Sequence, residues 1–227
     1  MAKTEKPQAL ILFARDPVIG QVKTRLQGAL AAEVVLRLYS GFLEDSIDKI
    51  CAVEDTDLFI GAYPSPESEF FTKLQSGGLV RVFSQEGADL GERMKNVFLQ
   101  RIAEGYHRTV IIGSDSPSLP VEYIRKAFAS EKELVLGPST DGGYYLIGMG
   151  SKFVDVFGGV SWGSATVLRD TLTRVREGGV SLEALPVWYD VDLPEDLRFL
   201  KTHLELMAEA GLKKRGVTGE FLKGLDW

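Results

Sequence analysis

The chain has 227 residues, 44% of them hydrophobic and 26% charged, which is enough apolar material for a sizeable core and too much for a disordered segment. A formal net charge of −6 and a pI near 5.1 exclude a general binder of nucleic acid or anionic membrane, because neither the whole chain nor any long segment carries a basic excess. Cys51 is the only cysteine, so no intrachain disulfide forms and a reducing compartment is expected. Its place in SIDKICAVE predicts a buried structural thiol near a helix end. The opening MAKTEKP lacks the apolar core of a signal peptide, and no apolar run approaches the roughly 18 residues that span a bilayer. A soluble cytoplasmic protein is the expectation.

The elements alternate along the chain. LILFA (10–14) reads as a first strand, VVLRLYSGFLEDSIDKI (34–50) as a helix, TDLFIGAY (56–63) as a strand and PESEFFTKLQ (66–75) as a helix. LVRVFS (79–84), RTVIIG (108–113), ELVLG (133–137) and YYLIGM (144–149) continue as strands, with helical periods in LGERMKNVFLQRIAEG (90–105) and VEYIRKAFAS (121–130). Repeated strand-helix-strand units imply a three-layer α/β/α domain whose mostly parallel sheet is covered on both faces. GVSWGSATVLRDTLTRVREGG (159–179) reads as a loop entering a helix, with Ser164 as N-cap and Gly178 as stop. ALPVWYDVD (184–192) reads as a last strand and loop, and LPEDLRFLKTHLELMAEAG (193–211) as a final helix with Pro194 in its first turn. No repeat, low-complexity tract or linker interrupts the pattern, so residues 1–227 read as a single domain.

Ligands of an open parallel sheet gather outside the carboxyl ends of its strands, so the loops after the strands carry the functional information. Neither GxxxxGK[ST] nor GxGxxG is present. RDPVIGQVKTRLQG nevertheless places Arg15, Lys23 and Arg25 on a strand-to-helix loop, where they would surround a di- or triphosphate or form a merely solvated basic turn. In GSDSPSLP, Asp115 follows an apolar strand directly, a position suited to a Mg²⁺ that completes its shell with water and phosphate, or to capping a helix. In DVDLPEDL, alternation over two residues points Asp190 and Asp192 to the same side, with Asp192 spaced either for metal contact or for an N-cap. SQEGADLGERM offers Gln85 and a flexible backbone for reading the edge of a base. The DGG at 141–143 is a wall that lets a ligand approach the backbone, or a plain turn, and Trp162 faces an acceptor or packs. His107 and His203 have no matching partners in the sequence and are assigned no catalytic role.

Together these loops resemble the nucleotide-diphospho-sugar transferase superfamily, with its GT-A-like fold. LILFARDPVIGQVKTRL, QEGADLGERM, IIGSDSPSL, LGPSTDGGYYLIG, SWGSATVL and YDVDLPEDL, spread over about residues 9 to 200, are similar to the pattern of the radical-SAM/selenodomain-associated transferases, a family labelled as glycosyltransferases. KTRL and DVD-x-PEDL are also similar, more distantly, to guanylyltransferases of the molybdopterin-guanine cofactor and of phospholactate. The resemblance implies phosphate binding by Arg15, Lys23 and Arg25, base contact at Gln85 and from Asp89 to Gly91, and Mg²⁺ or Mn²⁺ on Asp115 and Asp192. It implies an acceptor side of Asp141, Gly142, Gly143 and Trp162, with Lys23, Arg15 and Asp115 as the catalytic set. Two departures stand out: Gly113 occupies the place of the first acid in a DxD pair, and the first loop lacks the compact Gly-rich form. The implied activity is a Mg²⁺-dependent transfer from a nucleotide-activated donor to a small-molecule acceptor. It is either glycosyl transfer from an NDP-sugar or nucleotidyl transfer from an NTP to a phosphorylated acceptor. A non-catalytic nucleotide-binding or scaffold module of the same fold is the alternative.

Overall fold

The structure, a computed structural model, describes residues 7–212 and 216–225; the MAKTEK stretch lies outside them. At its centre runs β1 (Gln8–Arg15), whose residues Leu10, Leu12 and Ala14 face one layer while Ala9, Ile11 and Phe13 face the other. Burial on both faces is why this strand reads as one continuous apolar run. The first layer receives Leu38 and Phe42 of α1 (Ala32–Cys51), Phe71 of α2 (Glu69–Ser76), Ile124 of α4 (Val121–Ala129), Leu197 and Leu200 of α6 (Pro194–Glu209) and Leu222 of α7 (Val217–Lys223). The second receives Met94, Val97 and Phe98 of α3 (Leu90–Ala103) and Val175 of α5 (Val167–Glu177).

β2 (Thr56–Tyr63), β3 (Arg81–Ser84), β4 (Arg108–Gly113), β5 (Leu134–Pro138), β6 (Tyr144–Gly150) and β7 (Leu182–Ala184) complete a seven-stranded sheet of order β3-β2-β1-β4-β6-β5-β7. β1 is parallel to both β2 and β4, β2 to β3 and β5 to β7, whereas β6 runs antiparallel to β4 and β5. The carboxyl ends of β1, β2, β3, β4 and β5 and the amino end of β6 therefore share one rim. The chain leaves β1 towards β2 and β3, then returns to β4 on the other side. That reversal opens a crevice between the ends of β1 and β4.

Several boundaries differ from those the sequence suggests. ALPVWYDVD does not continue a strand: β7 ends at Ala184, and beyond it only an isolated bridge between Ser139 and Trp188 touches the sheet. Pro186 has no N–H to donate, and Trp188 and Tyr189 turn to pack edge-on or tilted against Tyr123, Phe199 and His203. Ser164 is not the N-cap of α5; Thr166 is, and the Ser164 hydroxyl donates to the Ser161 carbonyl in a local turn. Cys51 is exposed rather than buried, because it ends α1 on the solvent side. Desolvation and the charge of Asp48 raise its pKa, which keeps it a thiol. α7, absent from the sequence reading, docks on α1, where the Asp45 carboxylate accepts from the backbone N–H groups of Val217 and Thr218 at 2.7 and 3.0 Å. Among the described residues no helix is long and apolar enough to cross a membrane.

Leu38, wholly buried between α1 and the sheet, tests how firmly this layer is held. Leu38→Ala is expected to lower the free energy of unfolding by about 2–5 kcal/mol, measured by chemical denaturation.

Candidate functional site

The loop after β1 is fixed at its root by Tyr39 of α1. Its hydroxyl accepts from the Arg15 N–H at 3.0 Å, donates to the Arg15 carbonyl at 3.1 Å and lies 3.3 Å from Ser114 Oγ, tying the ends of β1 and β4 together. Burial, with the charge of Asp115 adding to it, pushes the Tyr39 pKa up to about 12, so the phenol stays a donor. A short 3-10 turn, Thr24–Gly28, follows, and Lys23 just before it adopts φ 45° and ψ 43°, a left-handed conformation uncommon for a lysine. From there the side chain runs inward to place its ammonium 2.6 Å from Asp115 Oδ1 and 2.7 Å from Asp192 Oδ1. The lysine side chain is 5% exposed, the carboxylates 45% and 38%. Burial alone would lower the Lys23 pKa; the charges and hydrogen bonds of the two aspartates outweigh it and hold the ammonium above the ordinary lysine value.

Around this trio lies a cleft of about 230 Å³, lined also by Arg15, Thr24, Arg25 and Ser114. All five residues that sequence reasoning assigned to phosphate and metal thus line one cleft, at the crevice where the strand order reverses. Arg15 Nη1 donates only to the Gln21 carbonyl, at 3.3 Å, and Arg25 makes no hydrogen bond or ion pair with described residues. Both guanidinium groups are left with donors for an incoming anion.

A second set of contacts holds the acids in place. Val191 N–H donates to the Asp115 carbonyl at 2.9 Å. The buried Lys49 ammonium of α1 donates to the carbonyls of Ser116 and Pro117 at 3.0 and 3.2 Å. Asp196 accepts from the N–H groups of Asp192 and Leu193 at 3.1 and 2.8 Å, so Asp196, not Asp192, caps α6. Freed of capping, the Asp192 carboxylate turns to Lys23. Asp190 does not share its partners, as strand alternation suggested, because residues 185–192 are not a strand. Its carboxylate accepts hydrogen bonds from Ser116 Oγ and, at 2.8 Å, from Ser139 Oγ, joining the loops after β4 and β5. Burial is the main reason its pKa rises to about 6; the charges of Asp115 and Asp141 push the same way and the serine hydrogen bonds oppose them.

The remaining predicted residues form the flanking walls. Gln85, at the end of β3, spends its amide N–H on the Gly61 carbonyl at 2.7 Å. Asp89 caps α3 by accepting from Glu92 N–H at 2.8 Å, while Glu92 Oε2 accepts from Ala88 N–H at 2.8 Å. Gly91 packs against Trp162: a Cβ there would lie 2.3 Å from the indole. The Trp162 ring also stacks on Phe157 and meets Tyr144 edge-on. Gly142 packs on the same 162–168 segment, where its carbonyl accepts from Leu168 N–H at 2.8 Å, and Asp141 Oδ1 closes its turn by accepting from Gly143 N–H at 2.9 Å. The two motifs that the sequence assigned to base and acceptor are therefore parts of one continuous wall. Sequence reasoning missed Arg93 and Tyr63: the Arg93 guanidinium lies 3.8 Å from the Tyr63 ring centre, with Arg15 at 5.4 Å from the same centre. Their signal was positional, since Tyr63 ends β2 on the rim and Arg93 lies in the first turn of α3. His203, expected to lack partners, sits with Nδ1 2.6 Å from the Tyr189 hydroxyl, and its neighbours are structural aromatics.

The model of the DUF2064 family, described as an uncharacterized protein conserved in bacteria, matches residues 46–164, and the chain belongs to this family. Among solved structures it is similar to a protein of Desulfovibrio desulfuricans G20 whose assignment as a nucleotide-diphospho-sugar transferase is provisional. The two are 32% identical, with 95% of this chain and 94% of that one covered at a TM-score of 0.85. The 4-diphosphocytidyl-2C-methyl-D-erythritol synthase of Anaerococcus prevotii DSM 20548 shares the fold at 10% identity and a TM-score of 0.60, covering 88% and 96% of the two chains. A cytidylyltransferase of Leptospira borgpetersenii does so at 11% identity and a TM-score of 0.57, covering 98% and 99%. No curated protein matches the chain. The architecture is that of the nucleotide-diphospho-sugar transferase fold.

The Asp190 environment sets a pH dependence. Its carboxyl titrates near 6 in the folded chain against an ordinary 3.8, so the folded state holds the proton more tightly. The stability this gives is complete below pH 3.8, falls progressively as the pH rises from there to about 6, and is gone above it. Asp190→Asn, which removes the ionisation and keeps a hydrogen-bonding group, is expected to gain on wild type by about 2–3 kcal/mol between about pH 4 and pH 7. Denaturant unfolding at the two pH values measures it; a difference independent of pH would refute the assignment.

Proposed function

We propose that this chain is a transferase dependent on Mg²⁺ or Mn²⁺, and that it moves the nucleotidyl group of an NTP onto a phosphorylated small-molecule acceptor. The observation that carries this reading is the convergence of two carboxylate oxygens, from the loop after β4 and the segment before α6, on one point in a cleft lined by Arg15 and Arg25. Among the described residues no group of three or more His, Cys, Asp or Glu gathers as a complete metal cage. A pair of carboxylates fits a small hard cation that takes its other ligands from water and substrate phosphate. Asp115 and Asp192 would hold it. Such an ion supplies charge neutralisation at the phosphate oxygens, which are the most negative part of the reacting system.

The chain's own residues do the rest by position and charge. In the transfer, an acceptor phosphate oxygen bonds to the α-phosphorus while the α–β bridging bond breaks and pyrophosphate leaves. Arg15 and Arg25, with donors uncommitted, grip the leaving pyrophosphate. The backbone from Gln85 to Gly91 lies on the base side, since the side chains of Gln85 and Asp89 are engaged in local contacts. Exposed Asp141 and the Gly142–Gly143 turn line the acceptor side, with Trp162 as the post that joins the two walls.

The fold neighbour named as a cytidylyltransferase is in keeping with nucleotidyl transfer, as is Gly113 in place of the first acid of a DxD pair. Glycosyl transfer from an NDP-sugar is the second reading, favoured by the provisional assignment of the 32% identical relative. Incubation with each NTP, Mg²⁺ and a pool of sugar phosphates is expected to release pyrophosphate. Release of NDP from an NDP-sugar without any pyrophosphate would sink the nucleotidyl version. Asp115→Asn is expected to cut turnover by about 10²-fold or more, with a melting temperature within a few degrees of wild type because Asp192 still pairs Lys23. An unaffected rate would place the chemistry elsewhere.

A further inference from the structure

The ammonium of Lys23 stands where an ion held by Asp115 and Asp192 would stand, 2.6 and 2.7 Å from their Oδ1 atoms. Both cannot occupy that point, since Mg²⁺ binds carboxylate oxygens at about 2.0–2.1 Å and excludes an ammonium from between them. We propose that Lys23 is the resident cation of the metal position in the ligand-free protein, and that entry of a divalent ion with the nucleotide moves its ammonium from the two carboxylates onto phosphate oxygens. This rests on the metal-nucleotide reading above and adds an order to it: the ion binds poorly alone and well in the company of phosphate.

Three features of the site support the exchange. The Lys23 side chain is 5% exposed and its ammonium lies 6.0 Å from the centre of the Phe42 ring, so little water is at hand to replace a lost carboxylate. An ammonium in that setting leaves one set of anionic oxygens only for another. The two carboxylates are 45% and 38% exposed and border the open cleft, which gives an incoming ion its approach. The backbone is anchored, since the Lys23 carbonyl accepts from Leu26 N–H at 2.9 Å, so the exchange is a side-chain swing without loop rearrangement. Charge explains its use. With the divalent ion in place the two carboxylates are neutralised, and the positive charge of Lys23 joins those of Arg15 and Arg25 facing the same cleft.

The test is Mn²⁺ binding without nucleotide, followed by electron paramagnetic resonance, on wild type, Lys23→Met and Lys23→Gln. The glutamine variant keeps hydrogen bonds to the carboxylates and guards against a methionine variant that does not fold. Both variants are expected to bind Mn²⁺ at least about tenfold more tightly than wild type, and the gain should vanish when Asp192→Asn is added. Thermal melting of wild type with ATP, CTP, GTP and UTP in turn, with and without Mn²⁺, runs alongside. If the variants bind Mn²⁺ no better than wild type while an NTP raises the wild-type melting temperature only with Mn²⁺ present, the exchange is overturned and the metal-nucleotide reading stands. Absence of Mn²⁺ binding from every protein, with or without NTP, overturns both.

Discussion

Two carboxylates brought together on the rim of a buried sheet repel each other unless a cation stands between them. Here that cation is Lys23, and much of the surrounding structure is the means of putting it there. Tyr39 fixes where the loop leaves β1, and the left-handed backbone at Lys23 directs the side chain inward. Removing one partner of a buried ion pair typically costs about 3–5 kcal/mol. The half-exposed aspartates reduce that figure here, yet the direction holds: the trio closes the gap between the β1 loop, the β4 loop and the approach to α6.

The acids in turn depend on groups that never reach the cleft. Lys49 holds the backbone beyond Asp115, and Asp196 relieves Asp192 of capping duty. Asp190 gathers two serines from two loops, and burial raises its pKa against the pull of those two hydrogen bonds. The segment Asp190 to Asp192 thus divides its work: one carboxylate faces inward to join loops and the other faces the cleft. A regular strand could not serve both, because period-two alternation would send the two side chains the same way. The irregular path after Pro186 is what permits the division.

The fold was legible because its signals are local. A strand buried on both faces must be apolar throughout, and a helix between two such strands must show its own period, so β1, β2, β4 and their helices stand close to where the residues place them. The rim was legible for a related reason, since parallel strands send their following loops to one edge. That Arg15, Lys23, Arg25, Asp115 and Asp192 share a cleft follows from this geometry. What Lys23 touches was not legible: a cation and two acids on three distant loops have no sequence signal for their pairing, and a phosphate contact explains the same residue types. The short α7 escaped because seven residues carry too little periodicity, and its cap, Asp45, belongs to another helix. His203 was judged partnerless for the same reason, its partner being on a different segment.

The glycines of the flanking walls sharpen what those loops can offer the cleft. Gly91 gives way to an indole, and Gly142, at φ +90° with a Cβ that would lie 2.2 Å from the Ala165 carbonyl oxygen, gives way to backbone. Both motifs therefore owe their glycines to protein packing. The Gln85 amide N–H and the Asp89 carboxylate are committed inside the wall as well, which leaves the polar groups free to face the cleft on its other side. These are the Arg15 and Arg25 guanidinium groups, because the backbone from Glu86 to Ala88 is spent on Asn96, Arg93 and Glu92. Both carry positive charge, and the guanidinium groups of Arg15 and Arg93 each lie over the ring of Tyr63. The uncommitted charge lining the cleft is consequently positive, and it comes from the end of β1 and the loop after it.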